Sequence, residues 1–162
     1  VTGVQTCALP ILQVIEHACR ITEENAEEII SGYDVVLDGT DNFLTRYAVD
    51  AACSRLSVPE IWGSILRHTA QVSVFWTGAN AVAHGVPEPG VCLRDLFPSP
   101  PPPGSTPSCG EAGVFGLLCG QVGSMMAGEA ATAPAPGPGR YPTKVGLTSS
   151  RRRNRDRSAD GG

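Results

Sequence analysis

The stretch that sets the architecture runs Tyr33-Asp34-Val35-Val36-Leu37-Asp38-Gly39-Thr40-Asp41-Asn42-Phe43-Leu44-Thr45-Arg46. An apolar run of strand length ends in Asp38, and an apolar-periodic run from Phe43 to Leu56 follows it. Two aspartates are thereby set at the carboxyl end of a buried strand, where open α/β sheets form their ligand crevice. Carboxylates beside helix-terminal amides suit a hydrated Mg2+ and the phosphates it carries, because that ion keeps most of its waters and takes only one or two protein carboxylates. Two readings stay open from these residues alone. Either the stretch is a nucleotide site, or Asp41 or Thr40 merely caps the helix.

Helix signals surround it. Thr22 to Ile30 carries Thr22 as a cap and Glu23 and Glu24 in the first turn, where the helix dipole favours negative charge, and Gly32 ends the element. In the run from Phe43 to Leu56, Leu44, Tyr47, Ala48, Ala51, Ala52 and Leu56 recur at spacings of three and four, which predicts an apolar helix face. Val58-Pro59 breaks that helix. Glu60 to Ile65 then reads as extended, and the alternation of Val72 to Trp76 predicts a strand pairing with the segment before it. Gln13 to His17 reads as a short strand and Asn80 to Gly90 as a loop. This alternation of helix and strand points to an α/β fold with a parallel sheet. The four consecutive prolines Pro100 to Pro103 demand an extended, solvated backbone, and they lead to Cys109 shortly before a glycine-rich helix.

Charge divides the chain. The formal net charge is -4, yet the first 130 residues carry 5 basic and 14 acidic side chains against 7 and 2 in the remainder. The acidic part is expected to fold and the tail 131–162, rich in Pro, Gly and Arg, to be disordered, having too little apolar surface to offset ordering entropy. The first dozen residues have neither helical nor strand periodicity and are set aside as a non-native leader, Cys7 with them. The six cysteines form no C-x-x-C pair, and no signal peptide is visible, so a reducing cytoplasm is the expected location. No apolar run reaches the roughly 18 to 20 residues that span a bilayer. Cys53 and Cys119 lie in apolar helical patterns as small core residues. His17 and Cys19 alone are too few for a metal. The Arg151-Arg152-Arg153 cluster raises a nucleic-acid or anionic-lipid reading, which is set below a solvated tail, so neither nucleic acid nor membrane is an expected partner.

Together and in order, GYDVVLDGTDNFLTRY, VPEIWGSILR, AQVSVFW and RDLFPSPPPPGSTPSCGEAGVFG resemble the carboxyl-terminal half of the ThiF/MoeB/HesA family, the ubiquitin-activating-enzyme-like adenylyltransferases. The resemblance covers residues 13–130 and is nearest the MoeZ-like adenylyltransferase/sulfurtransferase group. It implies an α/β fold with a Rossmann-like ThiF-type sheet and flanking helices, truncated at both ends, and an enzyme that uses ATP and Mg2+ to adenylate the terminal glycine carboxylate of a ubiquitin-like sulfur carrier ending in Gly-Gly. A carboxylate is a poor electrophile, and its anhydride with AMP supplies a leaving group. By the family pattern Asp41 and Asn42 line the nucleotide site, Asp41 as the catalytic organiser of Mg2+ and phosphate, with Arg46 ranked well below them as a phosphate contact. Cys109 matches the cysteine that attacks the activated carboxylate or relays sulfur, work suited to a thiolate near a helix amino terminus.

The resemblance further implies a homodimer and a rhodanese domain or other sulfur donor as partner. The zinc-binding pairs of many members are replaced here by Cys92 with Asp95, so no zinc is expected. No G-x-G-x-x-G loop is present, and the only lysine is Lys144, so this polypeptide is expected to be inactive as it stands. The tail is expected to be a non-family sequence from a shifted reading frame. A non-catalytic ThiF-like binding module or partner subunit is the alternative function.

Overall fold

The computed structural model describes residues 14–102, 104–107, 109–133 and 142–148. The leader 1–12 and the arginine cluster lie outside the described residues. A short helix α1 (Ala26–Ile30) precedes strand β1 (Val35–Asp38), and helix α2 (Phe43–Leu56) leads to β2 (Glu60–Leu66) and β3 (Thr69–Thr77). Then come α3 (Gly78–Ala83), β4 (Gly90–Val91), α4 (Leu93–Leu96), α5 (Cys109–Ala112), α6 (Gly116–Thr132) and β5 (Val145–Thr148).

The five strands stand in the order β4-β3-β2-β1-β5. β1 is parallel to both β2 and β5, with Asp38 opposite Trp62 and Thr148. The sheet is mixed rather than wholly parallel, because β2 turns back into β3 as an antiparallel hairpin and β4 adds antiparallel to β3. The β1-α2-β2 crossover allows parallel pairing, whereas the two-residue turn between β2 and β3 allows only an antiparallel pair.

Alternation along the strands divides the core into two layers. Val35 and Ile61 face α6, packing with Val122, Met126 and Ala130. Their neighbours face the opposite side. Val36 joins Ala26, Ile30, Val49, Ala52 and Cys53 under α1 and α2, while Trp62 joins Tyr47, Phe75 and Leu93. At Gly63 the sheet approaches α6 so closely that an added Cβ would overlap Met126 Sδ.

Several expectations shift. Residues 14–18 form no strand. The first helix begins at Ala26, after a turn in which the Thr22 carbonyl accepts from the Asn25 and Ala26 amides. Leu44 is 82% exposed and the buried face of α2 runs through Thr45, Arg46, Tyr47, Ala48, Val49, Asp50, Ala52 and Cys53, because the cap at Asn42 sets the helix phase. The expected loop after Asn80 contains the second half of α3. Cys53 is buried as expected, whereas Cys119 is exposed on the outer side of α6. Cys92 and Asp95 are joined in a capping box, the Cys92 amide donating to Asp95 Oδ2 at 2.8 Å.

The tail departs from its expected disorder over 142–148. Asp34 Oδ2 accepts from the Thr143 amide at 2.9 Å, from Thr143 Oγ1 at 3.0 Å and from the Lys144 amide at 3.0 Å. Those bonds deliver β5 to the free edge of β1, where backbone pairing needs little apolar surface.

Candidate functional site

The site grows from the carboxyl end of β1. Asp38 is fully buried, and its Oδ1 accepts from the Thr40 amide at 2.9 Å and from Thr148 Oγ1 at 2.9 Å. Two buried oxygens beside these bonds, Asp38 Oδ2 and Thr40 Oγ1, have no hydrogen-bond partner among the described residues. The turn through Gly39 and Thr40 carries Asp41 to the exposed rim, and Asn42 follows in extended conformation as the N-cap of α2. Asn42 Oδ1 accepts from the Thr45 amide at 2.9 Å. The capping residue is therefore Asn42, not Asp41 or Thr40, and the capped terminus leaves the Asp41 side chain outside the helix.

Arg46 lies one turn into α2 and points inward. It is 7% exposed, its Nε and Nη2 donating to the Thr40 carbonyl at 3.0 and 2.8 Å, and Nη2 donating to Ser64 Oγ at 3.0 Å. The guanidinium also sits 5.3 Å from the Phe43 ring centre and 5.5 Å from that of Trp62. Burial pulls its pKa down, and the charges of Asp38, Cys109 and Asp41 act in the opposite sense.

Cys109 reaches this end of the sheet from another direction. The turn between β2 and β3 holds the segment after it: the Arg67 amide donates to the Gly113 carbonyl at 3.0 Å, and the Phe115 amide donates to the Arg67 carbonyl at 2.9 Å. Cys109 Sγ then donates to the Ile65 carbonyl at 3.6 Å. The thiol is half-buried at the start of the four-residue α5, and the glycine-rich α6 begins only at Gly116, so the thiol does not adjoin the long helix. The rim bearing Asp41 and Asn42 and the thiol of Cys109 thus share the end of the sheet at which β1 and β2 terminate.

Beneath α2 lie further acidic groups that sequence reading did not single out. Asp50 is buried, its Oδ1 accepting from the Leu93 amide at 2.7 Å, and burial raises its pKa. Glu60 is 0% exposed, and neither carboxyl oxygen has a hydrogen-bond partner among the described residues. Burial raises it well above the ordinary value, and Asp38 and Asp50 push the same way. Among the described residues no group of three or more His, Cys, Asp or Glu is arranged to hold a metal ion, and no helix is long and apolar enough to cross a membrane. A single hydrated Mg2+ asks for less. One exposed carboxylate at the rim, with the buried and unpartnered Asp38 Oδ2 and Thr40 Oγ1 behind it, fits such an ion.

Comparison with known proteins matches residues 7–136 to the ThiF family. A "Sulfur carrier protein adenylyltransferase" of Thermus thermophilus is 50% identical over 121 residues, 75% of this chain and 43% of its own length. A "Probable adenylyltransferase/sulfurtransferase MoeZ" of Mycobacterium tuberculosis is 47% identical over 121 residues, 75% of this chain and 29% of its own length. The chain spans less than half the length of either relative.

Proposed function

The chain belongs to the ThiF family, and from that premise we propose that it is part of an ATP-dependent adenylyltransferase that activates the terminal glycine carboxylate of a ubiquitin-like sulfur carrier. The observation that carries this reading is the shared placement of the Asp41-Asn42 rim and the Cys109 thiol at one end of the sheet.

In this mechanism the carrier's carboxylate oxygen attacks the α-phosphorus of ATP. A mixed anhydride forms and pyrophosphate leaves. Asp41 would hold the Mg2+, which when bound neutralises charge on the departing pyrophosphate. Asn42 keeps the amino end of α2 fixed, so that the rim meets phosphate without reorganising. Cys109 then attacks the acyl carbon as thiolate; a thioester forms and AMP leaves with the bonding pair. A rhodanese domain or another sulfur donor supplies the sulfur, the intact enzyme acts as a homodimer in the cytoplasm, and zinc has no role.

The carrier's end must be extended and slender to reach a thiol set against the end of β2, which suits Gly-Gly. This sequence holds no G-x-G-x-x-G loop, so the chain alone is proposed to be inactive. The segment 131–162, which the family match enters only as far as residue 136, is proposed to lie outside the family domain.

The test is ATP-pyrophosphate exchange with a Gly-Gly-ended carrier. It uses the 162-residue chain and, beside it, the Thermus thermophilus relative with its aligned segment replaced by residues 13–130 of this chain. The chimera is expected to exchange and the chain alone not to. Asp41→Ala abolishes exchange in the chimera; Cys109→Ala spares exchange and stops sulfur delivery. Exchange undiminished by Asp41→Ala refutes the assignment. A folded chimera that binds the carrier without exchanging indicates a non-catalytic binding module instead.

A further inference from the structure

Arg46 spends its donors inside the protein, on the two pieces of backbone that the proposed chemistry uses. The fork from Nε and Nη2 grips the carbonyl of Thr40, the residue directly before Asp41. The bond from Nη2 goes to Ser64, the residue directly before Ile65, whose carbonyl holds Cys109 Sγ. We propose that Arg46 is a positioning residue that sets the rim carrying Asp41 and Asn42 against the thiol of Cys109, so that both address the same carboxylate. Its purpose rests on the adenylyltransferase reading; its geometry does not.

Planarity explains why this position takes arginine. A guanidinium presents donors in a fixed fork, which grips one carbonyl from two nitrogens while a further N–H points elsewhere. Lysine offers a single freely rotating ammonium and cannot keep the Thr40 carbonyl and Ser64 Oγ at fixed relative position. With only 7% of Arg46 exposed, water cannot substitute for a lost bond without entering between Phe43 and Trp62. The two anchors are separated in sequence by the whole of α2 and the first half of β2, so the arginine is a direct side-chain tie between rim and strand end. A phosphate contact through Nε or Nη2 would need those N–H groups turned outward.

Two readings on the 162-residue chain test the tie without ATP. The first is the rate at which iodoacetamide alkylates Cys109, resolved by peptide mass spectrometry against exposed Cys19. The second is amide exchange of residues 40–42 against that of α6. In Arg46→Lys the Cys109 rate is expected to change about fivefold relative to Cys19, and exchange at 40–42 to rise about tenfold, with α6 unmoved. Ser64→Ala is expected to change the Cys109 rate while leaving 40–42 protected, because the fork on Thr40 survives; it also decides the matter if Arg46→Lys does not fold. Unchanged readings, or a shift uniform across the chain, overturn the proposal. In the chimera, Arg46→Lys is expected to lower kcat for sulfur delivery about a hundredfold while KM for ATP in exchange holds. Should the unsubstituted chimera show no exchange, the adenylyltransferase reading fails, and the alkylation and exchange readings still decide whether Arg46 ties rim to thiol.

Discussion

Glu60 offers the sharpest quantitative test of the interior. The residue opens β2 between Val36 and Phe75, is 0% exposed, and has both oxygens without a hydrogen-bond partner among the described residues. Facing it are Cys53 and Asp50 from α2 and Asp38 from β1. Water solvates an ionised carboxylate far better than this buried site does, so the fold holds the proton and the carboxyl titrates well above the ordinary carboxylate range. A carboxyl whose folded pKa lies above its unfolded one binds its proton more tightly in the folded state. Stability is therefore greatest below pH 4.5 and falls as pH rises toward the folded value. While the folded state keeps the proton and the unfolded state does not, the slope for this one carboxyl is about 1.4 kcal/mol per pH unit. Against a domain stability of roughly 5–15 kcal/mol such a slope is large. Glu60→Gln keeps the shape and removes the titration; Glu60→Leu also removes the unpartnered oxygens. Urea unfolding followed by the fluorescence of Trp62 and Trp76, from pH 5 to pH 8, is the assay. The parent chain is expected to lose stability with rising pH more steeply than Glu60→Gln, by up to about 1.4 kcal/mol per unit, and Glu60→Leu to be the most stable of the three at pH 7. Parallel pH profiles for parent and Glu60→Gln refute the reasoning.

Three further substitutions test other parts of the fold. Gly63→Ala drives a Cβ into Met126 Sδ and to 3.3 Å from Val122 Cγ1, and because a methionine yields, the expected loss is about 1–2 kcal/mol in thermal unfolding. Asn42→Ala removes the cap on the Thr45 amide and is expected to cost about 1 kcal/mol. Asn42→Asp keeps stability in urea unfolding, and in the chimera loses exchange if the amide itself contacts nucleotide. Asp34→Ala deletes the acceptor for Thr143 and Lys144 and is expected to speed amide exchange across 145–148 while α2 stays protected.

The sheet was legible where apolar alternation is local. Val35 to Leu37 announces a strand as a continuous apolar run because β1 is covered on both faces, Val72 to Trp76 announces one by alternation, and the pairing of β2 with β3 follows from their closeness in sequence. Arg46 was not legible, since nothing nearby distinguishes an arginine that turns inward onto a carbonyl from one that stays in water. Glu60 was hidden for the same reason: its burial depends on α2 folding over the start of β2, a long-range event. Leu44 misled because periodicity counts residue types, whereas the phase of α2 is set at Asn42 by the bond to Thr45. Asp41, Asn42 and Cys109 were singled out by a resemblance spread over several segments, and their positions share one end of the sheet. The tail's strand was missed because apolar content measures what can form a core, not what can pair along an exposed backbone.

The last strand of the sheet is docked almost without side-chain commitment. Leu147 is 73% exposed, and Gly146 meets Tyr33 with no side chain of its own. Asp34 below and Asp38 above act as a pair of latches on Thr143 and Thr148. An edge of this kind behaves as a socket: a synthetic peptide with hydroxyls at matching spacing is a ready competitor for it, and cutting the chain ahead of residue 142 yields two pieces suited to split-protein reassembly.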